Sequence, residues 1–244
     1  MTGGNVRKVR RGNVWNQETE GSGKMEIKEA IRARHSVRRY LETPIPEDLQ
    51  KELEELILAC NEESGLHLQL LCDEPECFDT LLAHYGRFRN ARNYIAIVGN
   101  RDLEDLEEKG GYYGQKLVLA AQQMGLNTCW VAGSFGRSKC KAVVGPGEKI
   151  VCVISIGYGE NEGKKHKSKP VVKLCAVPEE EMPLWFKNGV IAAMMAPTAI
   201  NQQKFRISLD EDKAVIPAGR GPMTKIDLGI VKYNFEAASG HKCG

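Results

Sequence analysis

Two arginines on either side of a serine form the first group whose residue types and spacing could do chemistry. Arg34, Ser36 and Arg38 alternate where a predicted short helix ends, and His35 lies among them. A guanidinium binds phosphate in a bidentate way, and a serine hydroxyl adds a neutral donor. The segment could therefore hold one phosphate dianion from two sides. Two simpler interpretations remain open, a solvated basic helix end and a kinase recognition sequence preceding Ser36.

A lysine-rich loop is the second candidate anion site. Lys167 and Lys169 belong to a run of five lysines between residues 164 and 173, just after a predicted buried strand. Such a run is either a solvated loop or a phosphate clamp, and its place beside a strand in a slightly acidic body favours the clamp. The preceding glycines make neither a dinucleotide fingerprint nor a P-loop, because their spacing and the residue after Lys164 are wrong.

Two loops could bring backbone and amide groups to a planar polar ligand. In residues 196–205, Pro197 should end a helix, and Thr198 and Asn201 then offer hydrogen-bonding groups before a strand begins. Earlier in the chain a predicted strand runs into Gly133, where the missing Cβ allows close approach of a ligand. An ordinary helix–strand turn and an ordinary strand end are the alternatives.

Metal and hydrolase chemistry have no support in the sequence. The five histidines show no H-x-x-x-H spacing, and no G-x-S-x-G motif occurs. The eight cysteines contain no C-x-x-C pair, and no secretory signal precedes them, so we predict buried thiols in a reducing cytoplasm.

The composition is that of an ordinary soluble globular protein and excludes several function classes. Of 244 residues, 42% are hydrophobic and 27% charged, with a net formal charge of +2. This near-balance argues against a nucleic-acid binder, and no apolar run approaches the roughly 20 residues that span a bilayer. Residues 1–24 hold most of the basic excess, with five basic and two acidic side chains. We predict a flexible basic arm or an expression-vector remnant there, with anion or RNA binding as the sharper alternative.

Helical and strand patterns interleave along the rest of the chain. Apolar spacing predicts helices at residues 25–34, 46–60, 113–124, 184–195 and 227–238. Short apolar runs predict strands at residues 66–72, 94–98, 128–132, 150–156 and 205–209. The interleaving predicts a layered α/β or α+β fold.

A weak internal repeat divides the chain. The tripeptide at residues 45–47 resembles that at 177–179, and each precedes a predicted helix, loop and strand. Within the loops, residues 64–69 lie opposite residues 198–203. Two copies are too few for a solenoid, so a pseudo-two-fold pairing inside one chain explains the repeat better, with chance similarity as the alternative.

Taken together, these segments resemble the nitroreductase family of FMN-dependent oxidoreductases. The resemblance runs from about residue 25 to residue 238 and rests on the R-x-S-x-R segment, a strand ending in Gly133, and Gly-Tyr followed by a K-S-K-P loop. The family implies an α+β fold, a three-layer α/β/α sandwich, for residues 25–244. The loop copy at residues 60–67 has lost its Ala-Pro and its Asn, whereas residues 196–203 keep them.

The resemblance implies a chain with two unequal halves that imitates the family's usual dimer. The halves would be residues 25–170 and 171–244, with one FMN between them, in a monomer or weak homodimer. It implies a set of cofactor-binding residues and no catalytic side chain or metal. The phosphate would be bound by Arg34, His35, Ser36, Arg38, Lys167 and Lys169. The isoalloxazine and ribityl groups would meet Pro197, Thr198, Ala199 and Asn201, with Trp130, Val131, Ala132 and Gly133 on the other side.

The family implies a ping-pong oxidoreductase in the cytoplasm, without nucleic-acid or membrane partners. NADH or NADPH would reduce the flavin at N5, and a small-molecule acceptor, such as a nitro compound or quinone, would then take the electrons. Some members have a carboxylate where this chain has Ala132, so any role of that side chain is absent here. A flavin-binding sensor or carrier without turnover is the alternative, and an interaction protein acting through the basic arm is a third.

Overall fold

Seven helices and six strands make up the computed structural model, which describes residues 25–244. The arm predicted at residues 1–24 lies outside the described residues. The helices are α1 Ile27–Ala33, α2 Glu47–Ser64, α3 Leu81–Tyr85, α4 Leu106–Gln123, α5 Val171–Leu174, α6 Leu184–Met194 and α7 Thr224–Ser239. The strands are β1 Gln69–Leu71, β2 Asn93–Asn100, β3 Asn127–Val131, β4 Glu148–Gly157, β5 Ser208–Asp210 and β6 Lys213–Val215.

A four-stranded antiparallel sheet in the order β1-β2-β4-β3 forms the centre of the molecule. Between β2 and β4 the register shifts, because Ile97 pairs with Cys152 and Val98 pairs with Ile150. Val151 is therefore an extra residue, a β-bulge that adds local twist. Strands β5 and β6 form a separate two-stranded ribbon.

The sheet buries both of its faces, as alternation along β2 shows. Ile95 and Ile97 point into a core that helices α2, α4, α6 and α7 cover. Tyr94, Ala96 and Val98 point the opposite way, into a second core that Phe78, Phe88 and α3 complete. Successive strand residues face opposite sides, so one strand supplies both cores. The predicted layered α+β fold is confirmed.

Helices α4 and α7 cross with their backbones in contact, and glycines make this possible. A Cβ on Gly111 would lie 2.1 Å from the Ile226 carbonyl oxygen, and one on Gly229 would lie 1.9 Å from the Glu108 carbonyl oxygen. The main core accordingly contains residues from both sides of position 170. The division into two halves at that position stays a prediction.

Most predicted elements are present, with differences at their ends. Helix α2 continues to Ser64 before Gly65 ends it in a left-handed conformation with φ 72°. Helix α4 begins at Leu106, seven residues before the predicted start at residue 113. The strand expected at residues 205–209 is reduced to β5, because Phe205 and Ile207 make isolated bridges to Ala218 and Cys175.

Among residues 25–244, no helix has the length and apolar character that crossing a bilayer requires.

Candidate functional site

The R-x-S-x-R segment lies as an extended chain against the edge of the sheet. Ser36 forms a parallel bridge with Thr128, and the Val37 amide donates to the Thr128 carbonyl at 3.0 Å. Further on, the Leu41 amide donates to the Tyr158 carbonyl at 2.8 Å. The segment thus joins β3 to the loop that follows β4, which brings two of the predicted motifs side by side.

Arg34 is the most unusual residue of this segment, because its charge is buried. Only 4% of the Arg34 surface is exposed. Its Nε has no hydrogen-bond partner among residues 25–244. Burial lowers the pKa of Arg34 to about 10, so the guanidinium stays charged at neutral pH. A buried cation with an unsatisfied donor is costly unless an anion completes it. The site therefore fits a phosphate group.

Ser36 and Arg38 are neighbours of the Cys129 thiol. The charges of Arg38 and Arg34 and the Ser36 hydroxyl all favour its thiolate, while the thiol donates to the Trp130 carbonyl at 3.5 Å. Burial nevertheless raises the pKa of Cys129, so the thiol is neutral. Arg38 itself is exposed, so it can reach an anion from the solvent side. Sequence reasoning missed Cys129 as a neighbour of this group, since ninety residues of chain separate them.

The glycine-rich loop after β4 packs directly on His35 and Ser36. The Nδ1 atom of His35 lies 3.0 Å from the Glu162 carbonyl oxygen. Gly163 has φ +75°, and a Cβ there would lie 2.9 Å from the His35 Cβ and 3.0 Å from the Ser36 carbonyl oxygen. Only glycine fits this approach. The glycines that matched no phosphate-loop motif instead position the lysine loop.

His166 is a second residue of the site that sequence reasoning missed. Its Nε2 is buried without a hydrogen-bond partner among residues 25–244, and its ring bonds the Met194 carbonyl. Burial lowers the pKa of His166, and the charges of Arg34 and His35 lower it further, so the ring is neutral at pH 7. Its position inside the lysine run was visible in the sequence, but its burial beside Arg34 was not.

The lysine loop is bound to the loop at residues 197–203 by side-chain amides. The Gln203 Nε2 donates to the Lys167 carbonyl at 2.9 Å, and its Oε1 accepts the Lys169 amide at 2.8 Å. The Asn201 amide also donates to the Lys167 carbonyl, at 2.9 Å. Lys169 Nζ donates to the carbonyls of Gln202 and Gln203 at 2.6 and 3.2 Å. Two motifs far apart in the sequence thus form one unit.

The loop at residues 197–203 has an unusual backbone. Ile200, Asn201 and Gln203 have φ values of 46°, 56° and 45°, in the left-handed region that side chains disfavour. The Thr198 hydroxyl accepts the Gln203 amide at 3.0 Å, which closes the loop on itself. Strain of this kind persists only where surrounding contacts enforce it, and it is concentrated at functional sites.

Asp227 at the start of α7 supplies one of these contacts. Its Oδ1 accepts the Ala199 amide at 2.9 Å, and its Oδ2 accepts the Gln202 side chain at 2.7 Å. Burial raises the pKa of Asp227, which the two hydrogen bonds partly offset. Nothing in the local sequence pattern distinguished this aspartate from other residues of a helix first turn.

Residues 130–133 divide between structural and surface roles. The Trp130 ring faces α4, where its Nε1 donates to Gln115 at 3.2 Å and a Cβ on Gly114 would lie 2.4 Å from the ring. Val131 is buried in the second core, whereas Ala132 is half-buried and Gly133 exposed. The described part of the chain shows no hydrogen bond between residues 131–133 and residues 197–203. Their contact with a flavin stays a prediction.

A polar chain continues from Trp130 through the helices. Gln115 donates to Asn234 at 2.9 Å, and Asn234 donates to the Ala192 carbonyl at 3.0 Å. These buried amides fix β3, α4, α7 and α6 relative to one another. The helix that leads into Pro197 is therefore tied to the strand that carries Ala132.

The arrangement places a buried, incompletely hydrogen-bonded guanidinium at the meeting point of three loops of an α+β fold. No group of three or more potential metal ligands occurs in residues 25–244. A cleft of about 300 Å³ lies elsewhere, against Phe78 and Phe88, and contains none of the predicted site residues.

Comparison with known proteins identifies the family. The model of the family described as "Putative TM nitroreductase" matches residues 26–239. The chain therefore belongs to this nitroreductase family. No curated protein matches it.

A solved structure that matches most of the chain has the same fold, and two shorter structures are also similar. A structure from Thermotoga maritima, described as "a putative nitroreductase", has a TM-score of 0.65 at 22% identity, covering 93% of this chain and 88% of that one. A nitroreductase from Desulfovibrio desulfuricans in complex with FMN has a TM-score of 0.48 at 21% identity, covering 64% and 98%. An FMN-dependent nitroreductase from Clostridium difficile has a TM-score of 0.47 at 17% identity, covering 64% and 96%.

Proposed function

We propose that the protein is an FMN-dependent oxidoreductase that takes electrons from NADH or NADPH and passes them to a nitro compound, a quinone or a similar acceptor. The observation that carries the proposal is the buried guanidinium of Arg34, which has an unsatisfied Nε beside Ser36, His35 and His166. Family membership and the FMN-containing relatives support the choice of flavin phosphate as the anion.

The chain's own residues bind and orient the cofactor in this proposal. Arg34, Ser36 and Arg38 would hold the phosphate, and His166, whose lowered pKa a bound dianion would raise, would add a further donor beside it. Asn201 and the amides of the 197–203 loop meet the ring and ribityl groups. Bound FMN supplies hydride acceptance and release, so donor and acceptor react in turn. No side chain in the site is placed as a catalytic acid.

The contacts within the chain support a site formed by a single chain. The 34–41 segment is hydrogen-bonded to the loop that leads into the lysine loop, and the lysine loop is hydrogen-bonded to the 197–203 loop, at 2.6–3.2 Å. We therefore propose one FMN per chain and a monomer in solution. Light scattering of the purified protein together with its flavin-to-protein ratio measures both.

The proposal is tested by reconstitution and anaerobic reduction. Purified protein incubated with FMN and desalted should keep one flavin per chain, and its flavin absorbance should fade when NADH or NADPH is added without oxygen. Colour that neither nucleotide bleaches would support a flavin carrier without this activity. Protein that retains no FMN would overturn the flavin assignment.

A matched pair of variants tests the phosphate assignment. Arg34 and Arg92 both have a buried Nε without a partner, but Arg92 forms an ion pair with Asp73 at 2.6 Å. Arg34→Met should lower FMN affinity on the order of a hundredfold, because a charge-assisted bond to a dianion is lost. Arg92→Met should leave FMN affinity unchanged. Arg38→Glu should release FMN as well, and stoichiometric flavin in that variant would refute the assignment.

A further inference from the structure

Two cysteines outside the proposed flavin site contact each other. Cys77 ends a short 3-10 turn at Pro75–Cys77, and Cys140 follows a second turn at Arg137–Lys139. Both cysteines pack with Tyr94 in the second core, and the two thiols and the Tyr94 hydroxyl are close enough to influence one another's ionisation. Cys77 is buried and Cys140 is partly exposed, so a small reagent can reach one sulfur of the pair.

The two turns are fastened together by contacts that do not involve sulfur. The Gly136 amide donates to the Cys77 carbonyl at 2.8 Å. The Glu76 carboxylate lies 3.8 Å from the Lys139 ammonium and 3.5 Å from the Lys141 ammonium. The fold therefore holds the two turns side by side, and a disulfide between them would bring the sulfurs to about 2.05 Å.

The surroundings of Cys140 stabilise its thiolate. The Tyr94 oxygen accepts the Lys141 amide at 2.9 Å, which leaves the hydroxyl proton free to point at the Cys140 sulfur. The Cys77 thiol is the strongest donor to Cys140, and the Ala142 amide and the charge of Arg137 add to it. Together they lower the pKa of Cys140 below that of an ordinary cysteine, which favours its thiolate over that of Cys77. The same hydrogen bond raises the pKa of Cys77, which keeps its proton.

We propose that Cys77 and Cys140 form a dithiol that hydroperoxides convert into a reversible disulfide. The Cys140 thiolate attacks the terminal peroxide oxygen, the O–O bond breaks, and hydroxide or alkoxide leaves with a proton from solvent. The Cys77 sulfur then attacks the sulfenic sulfur of Cys140, and the S–OH bond breaks. The Cys77 proton and the departing hydroxide form water. Two thiols are oxidised by two electrons, and one hydroperoxide is reduced.

The other thiols in the described residues lack this combination of access and charge. Cys72 is also half-buried, but burial and the neighbouring Glu54 and Asp73 raise its pKa to about 11. Cys72 is therefore an internal control of comparable exposure. The thiolate is the reacting species, so peroxide should select Cys140.

The test treats the full-length protein with hydrogen peroxide at pH 7, blocks free thiols with an alkylating agent, and maps the peptides by mass spectrometry. We expect a linked Cys77–Cys140 peptide lighter by two hydrogen atoms, with Cys72 still alkylated, and full recovery of both thiols after dithiothreitol. Cys140 should be modified on the order of tenfold faster than Cys72. Equal rates, or a Cys140 that stays alkylatable after peroxide treatment, would overturn the proposal.

Variants separate the two roles. Cys77→Ser should let a dimedone probe trap the sulfenic acid on Cys140, whereas Cys140→Ser should leave Cys77 reduced in peroxide. Tyr94→Phe should move the pH midpoint of Cys140 alkylation upward relative to the unmodified protein and slow oxidation, with unfolding temperature as the control for the fold. A dimedone adduct on Cys77 in the Cys140→Ser variant would contradict the assignment of the attacking sulfur. Flavin content is not needed for any of these readouts.

Discussion

Two connections between a helix and the following strand, at residues 64–69 and 198–203, show how one local plan can serve either packing or a binding site. The first follows α2 and turns at Gly65 with an ordinary left-handed glycine. The second follows α6 and contains three non-glycine residues with positive φ. At matching positions, Leu66 is 5% exposed in the core, whereas Ile200 is 98% exposed. The first connection is relaxed and the second is strained.

Hydrogen bonding separates the two connections further. In the first, Ser64 accepts the Leu66 amide at 3.1 Å, and Asn61 brackets the backbone of Leu68 at 2.7 and 3.0 Å, so polar groups are satisfied locally. In the second, the Thr198 hydroxyl makes one local bond, and the others come from Asp227 on another helix and from Lys169 of the lysine loop. Strain held by distant partners is typical of functional loops.

In both connections a glutamine side chain is hydrogen-bonded to the backbone of a neighbouring loop. Gln69 brackets the backbone of Val143, donating and accepting at 2.8 Å, as Gln203 brackets Lys169 and Lys167. The glutamines occupy matching positions of the sequence repeat. A side-chain amide can therefore tie a neighbouring loop in either context, and only the identity of that loop differs. In the second connection it is the lysine loop of the proposed phosphate site.

The largest expected difference concerns the apolar side chains. Leu66→Ala should lower the free energy of unfolding by about 2–5 kcal/mol, because a buried side chain leaves a cavity. Ile200→Ala should change it by less than about 0.5 kcal/mol, since that side chain contacts solvent. Urea denaturation of both variants measures the difference. Equal losses would show that Ile200 is covered in solution.

The next largest difference is expected between the glutamines at matching positions, Gln203 and Gln69. Gln203→Ala should lower the free energy of unfolding by about 1–3 kcal/mol, because a buried side chain and its hydrogen bonds to the lysine loop are lost. FMN affinity should also fall on the order of tenfold, as the loop is no longer held. Gln69→Ala, the control, should leave FMN affinity unchanged. Fluorescence titration with FMN distinguishes them, and an equal loss in both would contradict the contrast.

Removing the carboxylate of Asp227 should lower stability by less than removing the Gln203 side chain. Asp227→Ala leaves the Ala199 amide without its acceptor but also removes a buried charge, so we expect a loss of about 1–2 kcal/mol. Asn61→Ala should cost a similar amount. Only the Asp227 variant should weaken FMN binding. An Asp227→Ala protein with unchanged FMN affinity would show that the loop holds its shape alone.

The smallest expected effect is the contribution of His166 to the pH dependence of stability. Since burial lowers the pKa of His166 in the folded protein below 6.5, the unfolded chain binds more protons just below that pH. Stability of the cofactor-free protein should therefore fall as pH drops below 6.5, through the lowered pKa, and the slope should be shallower in His166→Gln. Chemical denaturation across this range compares the two. The raised pKa of Asp227 acts in the opposite direction but is common to both proteins. Parallel pH curves would contradict the burial of His166.

Local sequence patterns determined much of this protein because they reflect local physics. Apolar spacing predicted α2, α6, α7 and the central strands, since helices and strands bury side chains at fixed periods. The R-x-S-x-R motif, the lysine run and the 196–203 loop were also visible, because phosphate and planar ligands favour particular residue types. The third layer at residues 75–91 was not predicted, because its short turns have no period.

Only the tertiary structure decided which of these groups act together. Three features depend on chain segments that are far apart in the sequence. They are the burial of Arg34, the buried His166 Nε2 without a hydrogen-bond partner in the described residues, and the hydrogen bond from the Ala199 amide to Asp227. The pairing of Cys77 with Cys140 depends on two turns that are far apart in the sequence and are joined by a backbone hydrogen bond. Desolvation and hydrogen-bond geometry depend on which residues pack together in the folded chain. Residue types in the sequence therefore indicated the candidate groups, whereas packing determined their charge, strain and partners.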